Sequence, residues 1–376
     1  MPSDVEPPDP EAVTTAPDAA RARVDLDCDV CGAPLRWAPE ARSLACDHCG
    51  ARRTVLARDT LIVERPLEPS AIAEASTGFG LQLRVLACET CGARTALEPH
   101  AVADSCPFCG SARVLDQGAL RNRIRPESLV PLEVCQAQVE AAFTKWVRSR
   151  WFRPNALSRQ REFRAVGLYV PAWTFDARAH SRWTAQSGTY YWETVHVNVH
   201  VNGRSERRAQ QVRKVRWRPA DGQRDDAFDD LLVLASKGVD GDLARRLGGF
   251  QGGGLVPYQP EYLAGWRAEE YQIDLEAGWA VARQEMEATQ RARCASDVPG
   301  DTHRALRVET KLFDVRWKHV LLPIWSLTYT FRGAPYAVLV HGQTGRIVGR
   351  APYSWVKILL LVLLIAGVIA LVAASQ

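Results

Sequence analysis

The sequence is poor in lysine and lacks the short motifs of the common hydrolases. Six of its 47 basic residues are lysines, and none of the six follows a glycine, so a phosphate-binding loop ending in Gly-Lys-Ser/Thr is absent. No histidine precedes a glutamate, which excludes the His-Glu-x-x-His zinc helix, and no Gly-x-Ser-x-Gly elbow occurs. We therefore expect no catalytic residues and a protein that is not an enzyme.

Residues 1–25 lack an apolar run, which excludes a secretory signal in this stretch. They hold five prolines and six acidic residues against two arginines, a composition that predicts a disordered tail. The chain has 376 residues, is 47% hydrophobic and carries a formal charge of +4. This length predicts two or three domains, and so small a charge does not by itself indicate a nucleic-acid partner.

Eight of the ten cysteines form four Cys-x-x-Cys pairs, each followed by a glycine. Fourteen residues separate the two pairs of each set, so one unit occurs twice, as two zinc ribbons in tandem. Four thiolates complete the tetrahedral shell of a structural zinc ion and leave no open position for catalysis. The predicted ligands are Cys28, Cys31, Cys46 and Cys49 for one ion, and Cys88, Cys91, Cys106 and Cys109 for the other.

Disulfides, a rubredoxin-like iron site and redox-active dithiols are the alternatives for these cysteines. His48 lies inside a pair whose four sulfur positions are filled, so we expect it to be a bystander. Cys135 and Cys294 stand alone and are expected to be buried as small hydrophobic residues. Reduced, metal-bound cysteines place the N-terminal part of the chain in the cytosol.

The predicted fold class is α+β, with a mainly antiparallel sheet in the body. Apolar residues three and four apart predict a helix at 132–150, and a second long helix is predicted at 274–294. Runs rich in β-branched and aromatic residues predict strands at 61–63, 168–175, 190–201, 211–217, 307–313, 320–331, 336–340 and 347–349, with a hairpin turn at Asn202-Gly203. The domains are then a tail at 1–25, ribbons at 26–56 and 85–116, a connector at 57–84, a body at 117–352 and an anchor at 353–376.

Two segments of the body resemble each other: Val-Pro-Ala-Trp-Thr-Phe at 170–175 and Leu-Pro-Ile-Trp-Ser-Leu at 322–327. Each follows a long helix, so we hypothesise that the body is duplicated. Proline inside a strand predicts an edge or a bulge at both places.

Three further features of the body are expected to be structural. His196, Asn198 and His200 alternate with valines as a solvated strand face, because strand residues four apart are about 13 Å apart and cannot share an ion. The acidic residues at 225–230 are expected to cap an element or face solvent, and the glycines at 248–254 to form a flexible loop.

Residues 358–374 contain no charge and consist largely of leucine, isoleucine and valine. As a helix they extend about 25 Å, and the flanking Tyr353, Trp355 and Lys357 compensate for the difference from a hydrocarbon core of about 30 Å. Positive charge lies on the N-terminal side of this run, which predicts a single-pass helix in the bacterial inner membrane with the body in the cytosol. A buried core helix is the alternative.

Basic residues cluster at 204–218, with seven cations against one acid, and at 121–164, with ten against four. Such clusters could meet nucleic-acid phosphates or the anionic inner leaflet. For a protein held at a membrane, the leaflet or solvent is favoured over nucleic acid.

Several stretches after residue 25 carry longer motifs: IRPE at 124–127, VPAWTFDA at 170–177, FDDLLV at 228–233, YLAGW at 262–266, KHVLLP at 318–323, GQTG at 342–345 and PYSWVKI at 352–358. Together they resemble bacterial zinc-ribbon membrane proteins commonly labelled primosomal protein N′ (replication factor Y) or superfamily II helicase. The resemblance covers nearly the whole chain after the tail and implies the same architecture. The ATPase motifs that a helicase would need are missing.

We interpret the chain as a membrane-anchored zinc-ribbon protein that acts as a non-enzymatic binding or scaffold module for an unidentified protein partner. A nucleic-acid-binding protein of replication or transcription is the alternative, and an enzyme with a site in the body is a third possibility.

Overall fold

The structure is a computed structural model that describes residues 26–56, 61–76, 79, 83–97, 105–118, 123–149, 152–154, 163–201, 204–250, 254–332 and 334–374. The helices in these ranges are α1 (Pro69–Ala75), α2 (Gln136–Arg148), α3 (Gly241–Leu247), α4 (Leu275–Asp297) and α5 (Trp355–Ala374). The predicted long helices of the body correspond to α2 and α4. The short helices α1 and α3 were not predicted.

The strands fall into a group from the ribbons and the connector and a group from the body. The first comprises β1 (Leu35–Ala38), β2 (Ser43–Cys46), β3 (Arg52–Arg53), β4 (Arg65–Pro66), β5 (Arg84–Cys88), β6 (Arg94–Leu97) and β7 (Val114–Gly118). The second comprises β8 (Ser128–Leu129), β9 (Arg164–Val201), β10 (Arg204–Leu234), β11 (Val256–Pro257), β12 (Arg267–Glu269), β13 (Thr302–Phe331), β14 (Ala334–His341) and β15 (Ile347–Gly349).

Most strands belong to one mixed sheet centred on the antiparallel pair β9 and β13. Strand β10 is antiparallel to β9 and β14 is antiparallel to β13, whereas β12 and β8 are short parallel neighbours of β9 and β13. Through β12 the sheet continues into β6, β5 and β7, and β1–β3 form a separate three-stranded sheet. The predicted α+β class with a mainly antiparallel sheet is confirmed.

Strands β9, β10 and β13 are much longer than predicted, because charged stretches that seemed to interrupt them lie inside the strands. Between positions 177 and 185 the odd-numbered side chains of β9 are buried and most even-numbered ones are exposed. Several buried positions hold alanine or serine, so the alternation is weak in the sequence. Trp183 and Ala185 pack with Cys294 of α4, which covers this face.

The two resembling segments occupy matching places at the centre of the sheet. Val170 of β9 pairs directly with Leu322 of β13, so the two equivalent residues face each other. The carbonyl of Pro171 accepts a hydrogen bond from Ala235 at 2.9 Å, and the carbonyl of Pro323 accepts one from Gly342 at 3.0 Å.

The two prolines lie in central strands, so the predicted edge or bulge is wrong. On the side of Pro171, the pairing of β9 with β12 ends at Tyr169 and its pairing with β10 starts at Ala172. The proline therefore lies where one neighbouring strand replaces another, and no partner requires its missing N–H. Pro323 lies in the same kind of gap, between β14 and β8.

Side chains at the starts of the two long helices explain where they begin. Asp274 caps α4 by accepting a hydrogen bond from the backbone N–H of Ala277 at 2.8 Å. Cys135 is the N-cap of α2, where its backbone N–H donates to Gln138 at 2.9 Å. Cys135 is therefore half-exposed rather than buried as expected, whereas Cys294 is fully buried.

The connector holds different elements from those predicted. Residues 61–63 form no strand and Leu61 is 89% exposed, whereas β4 and α1 follow directly. Strand β4 pairs with β13 at Trp317, which attaches the connector to the body. This pairing lies far apart in sequence, so local pattern could not reveal it.

Candidate metal centres

Both Cys-x-x-Cys pairs of the first ribbon form tight knuckles. The N–H of Gly32 donates to the carbonyl of Cys28 at 2.8 Å, and Gly50 donates to Cys46 at 2.9 Å. Both glycines have positive φ, +71° and +77°, a conformation that glycine adopts without steric cost. The turn explains why glycine follows each pair.

The second ribbon repeats this geometry. Gly92 and Gly110 donate to the carbonyls of Cys88 and Cys106 at 2.9 and 3.0 Å, with φ of +76° and +74°. The two knuckles of the second ribbon therefore have the same turn geometry as those of the first.

The sulfur separations fit one ion in each ribbon. Four sulfurs at about 2.3 Å from a zinc ion lie about 3.8 Å apart in a regular tetrahedron. The measured pairs are Cys28 to Cys49 at 3.5 Å, Cys31 to Cys46 at 3.5 Å, Cys88 to Cys109 at 3.7 Å and Cys91 to Cys106 at 3.6 Å. These distances are far longer than the roughly 2.05 Å of a disulfide, and each four-cysteine cluster could hold a metal ion.

Local hydrogen bonds favour the thiolate form of one cysteine in each cluster, whereas the pKa values of Cys31, Cys49, Cys91 and Cys109 are raised, that of Cys91 chiefly by its hydrogen bond with Cys106 and that of Cys109 by burial. The backbone N–H of Cys49 lowers the pKa of the Cys46 thiol to about 6. A hydrogen bond from Cys91 lowers the pKa of the Cys106 thiol to about 5, although burial opposes it. The thiolate is the form that binds a metal. His48 is exposed and lies outside the cluster.

The two ribbons are attached to the body differently. Ribbon 2 is continuous with the main sheet, because Thr95 and Ala96 of β6 pair with Glu269 and Ala268 of β12. Ribbon 1 docks through Trp37, whose indole N–H donates to the carbonyl of Leu132 at 3.1 Å. The backbone N–H of Trp37 also donates to the carbonyl of Ala264 at 3.0 Å.

Two buried glutamates lie where ribbon 2 joins the body. Glu270 is 2% exposed and pairs with Arg94 of β6 at 3.0 Å. Glu269 has no exposed surface, and burial raises the pKa of its carboxyl to about 8, although Ser236 and Gln272 partly oppose this. Glu269 is therefore mostly protonated at neutral pH.

A third cluster, absent from the sequence predictions, surrounds Lys318. The ammonium of this residue, which is 4% exposed, lies 2.9 Å from Glu64 and 2.6 Å from Asp230. Asp176 accepts a hydrogen bond from the N–H of Asp230 at 2.6 Å, and burial raises the pKa of Asp176 to about 6. The three carboxylates are close enough to hold a cation, but the lysine already supplies the positive charge.

The acidic run at 225–230 lies inside β10, so it caps no element, whereas Asp225 and Asp229 face solvent as expected. Asp226 pairs with Arg224 at 2.5 Å and with Arg293 of α4 at 3.1 Å. Asp230 has a φ of +51° at a β-bulge, which turns its carboxylate toward Lys318.

The alternating histidines show no metal site among the described side chains, and His196 is exposed as expected. Residues 251–253 of the glycine-rich loop lie outside the described residues.

The two arginine clusters have different arrangements. The cluster at 204–218 lies along β10, on the hairpin with β9. The one at 121–164 is dispersed, since Arg123 lies 4.3 Å from the ring centroid of Tyr271, whereas Arg153 lies over Trp146 at the end of α2. The second cluster is therefore not one surface in the part of the chain that the structure describes.

Helix α5 is long and apolar enough to cross a membrane, and none of it is buried against the body. Its start is attached to the segment that follows α2. The N–H of Ser354 donates to the carbonyl of Phe152 at 2.8 Å, and Lys357 donates to the carbonyl of Arg153 at 2.9 Å. The alternative of a core helix disagrees with this exposure.

The chain is similar in sequence to a bacterial protein over most of its length. The chain is 26% identical over 346 residues to the uncharacterised protein YdjG of Bacillus subtilis (strain 168), an alignment that covers 89% of this chain and 92% of that protein. No protein-family model and no solved structure matches. The similarity therefore extends over most of both chains.

Proposed function

We propose that this protein is a membrane-anchored zinc-ribbon scaffold on the cytosolic face of the bacterial inner membrane. The observation that carries the proposal is the arrangement of α5: an apolar helix with no buried residue, attached at its start to the segment that follows α2. Such a helix needs a hydrophobic surrounding, and a bilayer supplies it. The body then presents its surfaces to partners near the membrane.

We further propose that both clusters hold zinc and that the zinc is structural. Four sulfurs at tetrahedral spacing leave no position for a substrate or water. Three elements of the main sheet, β5, β6 and β7, belong to ribbon 2, so the ion would stabilise the body itself. Tetrahedral iron is bound by the same four sulfurs, and metal analysis distinguishes the two.

The orientation follows from charge. Arg346, Arg350 and Lys357 precede the apolar part of α5, on the side of the body. The positive-inside rule then places the body in the cytosol, where the cysteines stay reduced. Membership of the family labelled primosomal protein N′ would agree with this architecture and is part of the proposal.

Internal duplication of the body is also proposed. The carbonyl of Ala235 accepts hydrogen bonds from Gln272 and Ile273 at 2.8 and 3.2 Å, just before α4. The carbonyl of Gly342 accepts hydrogen bonds from Glu133 and Val134 at 3.0 and 2.9 Å, just before α2. Two halves related by an approximate two-fold axis would produce this correspondence.

The test uses the full chain, expressed in bacteria, and a variant lacking residues 355–374. We expect the full chain in the inner-membrane fraction, with two zinc ions per chain and ribbons protected from protease in intact cells. The truncated chain should be found in the soluble fraction. Recovery of the full chain from the soluble fraction, or removal of the ribbons by external protease, would contradict the proposal.

A nucleic-acid-binding role is the second candidate, and the line of arginines on β10 favours it. A salt-dependent electrophoretic shift of a DNA duplex or single strand by the detergent-solubilised chain tests it. Absence of a shift at low salt would remove this candidate, because phosphate contacts are strongest there.

A further inference from the structure

The hairpin of β9 and β10 extends beyond the rest of the sheet. Strand β13 pairs with β9 only from Arg164 to Gly188. Residues 189–201 and 204–216, here called the arm, pair only with each other among the described strands. Thirteen residues of strand extend about 40 Å, so the arm is a long two-stranded projection.

The arm has no core. None of its described side chains is buried, and Trp192 is 64% exposed. An isolated two-stranded ribbon is marginally stable in water, because each strand lacks a second neighbour and a covered face. A partner that adds a strand would supply the missing second neighbour of one of the two strands.

The two edges of the arm differ in their charged residues, and this difference indicates which edge can accept a further strand. The outer strand β10 carries arginines and a lysine, which protect an edge from pairing. Between positions 189 and 201, β9 holds no proline, lysine or arginine, and Glu193 is its only acidic residue. The free edge of β9 therefore has one acidic residue and less protection against strand addition than the outer edge of β10.

The open edge of β9 in the arm is the same edge that pairs with β13 in the body. The N–H of Tyr190 donates to the carboxylate of Asp301 at 2.7 Å, and the carbonyl of Gly188 accepts from the N–H of Asp301 at 2.9 Å. Backbone groups alternate sides along a strand. The N–H and C=O groups of Trp192, Thr194, His196 and Asn198 consequently point into the open position.

The positive charge of the arm indicates which kind of partner would bind at the open edge of β9. The arm's sequence carries six cations, from Arg204 to Arg216, against Glu193 and Glu206. Two cations are held over rings: Arg213 lies 4.3 Å from the ring centroid of Tyr190, and Arg216 lies 5.2 Å from that of Tyr191. A strand beside β9 lies about 10 Å from β10, within the range of long arginine side chains and of weakly screened attraction.

The arm lies at the opposite end of β9 from the anchor. The first residue of β9, Arg164, pairs with Thr328, and the neighbouring Tyr329 donates to the carbonyl of Arg350 just before α5. About 80 Å of strand separates this end from Gly188. The expectation that the 204–218 cluster meets the leaflet therefore has little geometric support.

We propose that the open edge of β9 at 192–198 binds an acidic polypeptide segment, which adds to the arm as a further strand. This inference deepens the scaffold role by naming the class of partner. A ladder of N–H and C=O groups at every second residue matches another polypeptide strand and has no counterpart in a sugar-phosphate backbone. Aromatic residues and arginine, which are enriched at binding hot spots, lie where the open edge begins.

The experiment is a fluorescence-anisotropy titration of the full chain in detergent micelles. The probes are a labelled twelve-residue peptide alternating valine with glutamate, its valine–lysine counterpart and a labelled twelve-nucleotide oligothymidine. We expect the glutamate peptide to bind at least tenfold more tightly than the lysine peptide and to protect the amides of residues 192–198 from hydrogen exchange.

Matched variants separate the two edges of the arm. Thr194→Pro removes an outward N–H of β9 without affecting the pairing with β10, and Gln211→Pro does the same on the outer edge of β10. The first should weaken glutamate-peptide binding at least tenfold and the second less than twofold. Thr194→Glu and Gln211→Glu, which need no proline, should show the same asymmetry.

Four results would overturn the proposal: no binding of the glutamate peptide, equal binding of the lysine peptide, equal losses in both members of a variant pair, or oligothymidine binding that competes with the peptide and is unaffected by Thr194→Pro. The last would assign the arm to nucleic acid. The titration is done in detergent, so it can fail or succeed independently of whether the chain reaches the membrane.

Discussion

Trp173 and Trp325 make the same hydrogen bond in opposite halves of the body. The indole N–H of Trp173 donates to the carbonyl of Ile273 at 2.9 Å, and that of Trp325 donates to the carbonyl of Val134 at 2.9 Å. Each carbonyl belongs to the residue just before the N-cap of a long helix. Each tryptophan therefore holds the start of the long helix that precedes the other tryptophan in the chain.

We expect Trp173→Phe and Trp325→Phe to destabilise the body by similar amounts, about 1–3 kcal/mol each, because each leaves a buried carbonyl without its donor and reduces packing. Urea unfolding in detergent, followed by circular dichroism, measures this. The exposed Trp192→Phe is the control and should change the unfolding free energy by less than about 0.5 kcal/mol. A large loss in only one of the two variants would contradict the proposed equivalence.

Removing one cysteine from either cluster should release one metal ion. Cys46→Ser and Cys106→Ser are each expected to lower the zinc content from two ions to one per chain, measured by elemental analysis. Cys106→Ser should also lower the unfolding temperature of the body more, because ribbon 2 shares its sheet with the body. Cys135→Ser should keep both ions. Two zinc ions in either ligand variant would refute the assigned ligand set.

Lys318 neutralises part of the negative charge of three neighbouring carboxylates, so its removal should lower the stability of the body. Lys318→Met is expected to reduce the unfolding free energy by about 1–3 kcal/mol at pH 7.5, since it leaves the partly exposed carboxylates of Glu64 and Asp230 without their cation. The loss should shrink as the pH falls toward 5, because Asp176, with a pKa near 6, becomes protonated. Lys311→Met, on the exposed part of β13, is the control. A loss that does not depend on pH would indicate a packing effect instead.

Glu269 should make stability depend on pH. Its carboxyl keeps a proton in the folded state up to about pH 8, whereas the unfolded chain releases it above about 4.5. The folded state then binds more protons, so the unfolding free energy should fall as the pH rises from 5 to 8, by at most about 1.4 kcal/mol per unit from this group. Glu269→Gln should flatten the profile, and the exposed Glu285→Gln should not. Identical profiles for wild type and Glu269→Gln would show that burial does not shift this carboxyl.

Local pattern was sufficient for the features that depend on neighbouring residues. The spacing of four cysteine pairs, with glycine after each, predicted the two clusters, because a knuckle is a local turn. The apolar periodicity of α2 predicted that helix, and the uncharged run predicted α5. Charged residues hid the length of β9, since its buried face is lined with small side chains such as Ala177, Ala179 and Ser181.

The chain's own residue order determined two four-cysteine units, an apolar helix at the other end and an α+β body between them, because each depends on spacing over a few dozen residues. Tertiary structure decided what those parts form together. It merged ribbon 2 with the main sheet through Thr95 and Glu269, placed Lys318 among carboxylates from three distant segments, and left one edge of β9 open. These outcomes rest on pairing between strands far apart in sequence, which no local pattern specifies.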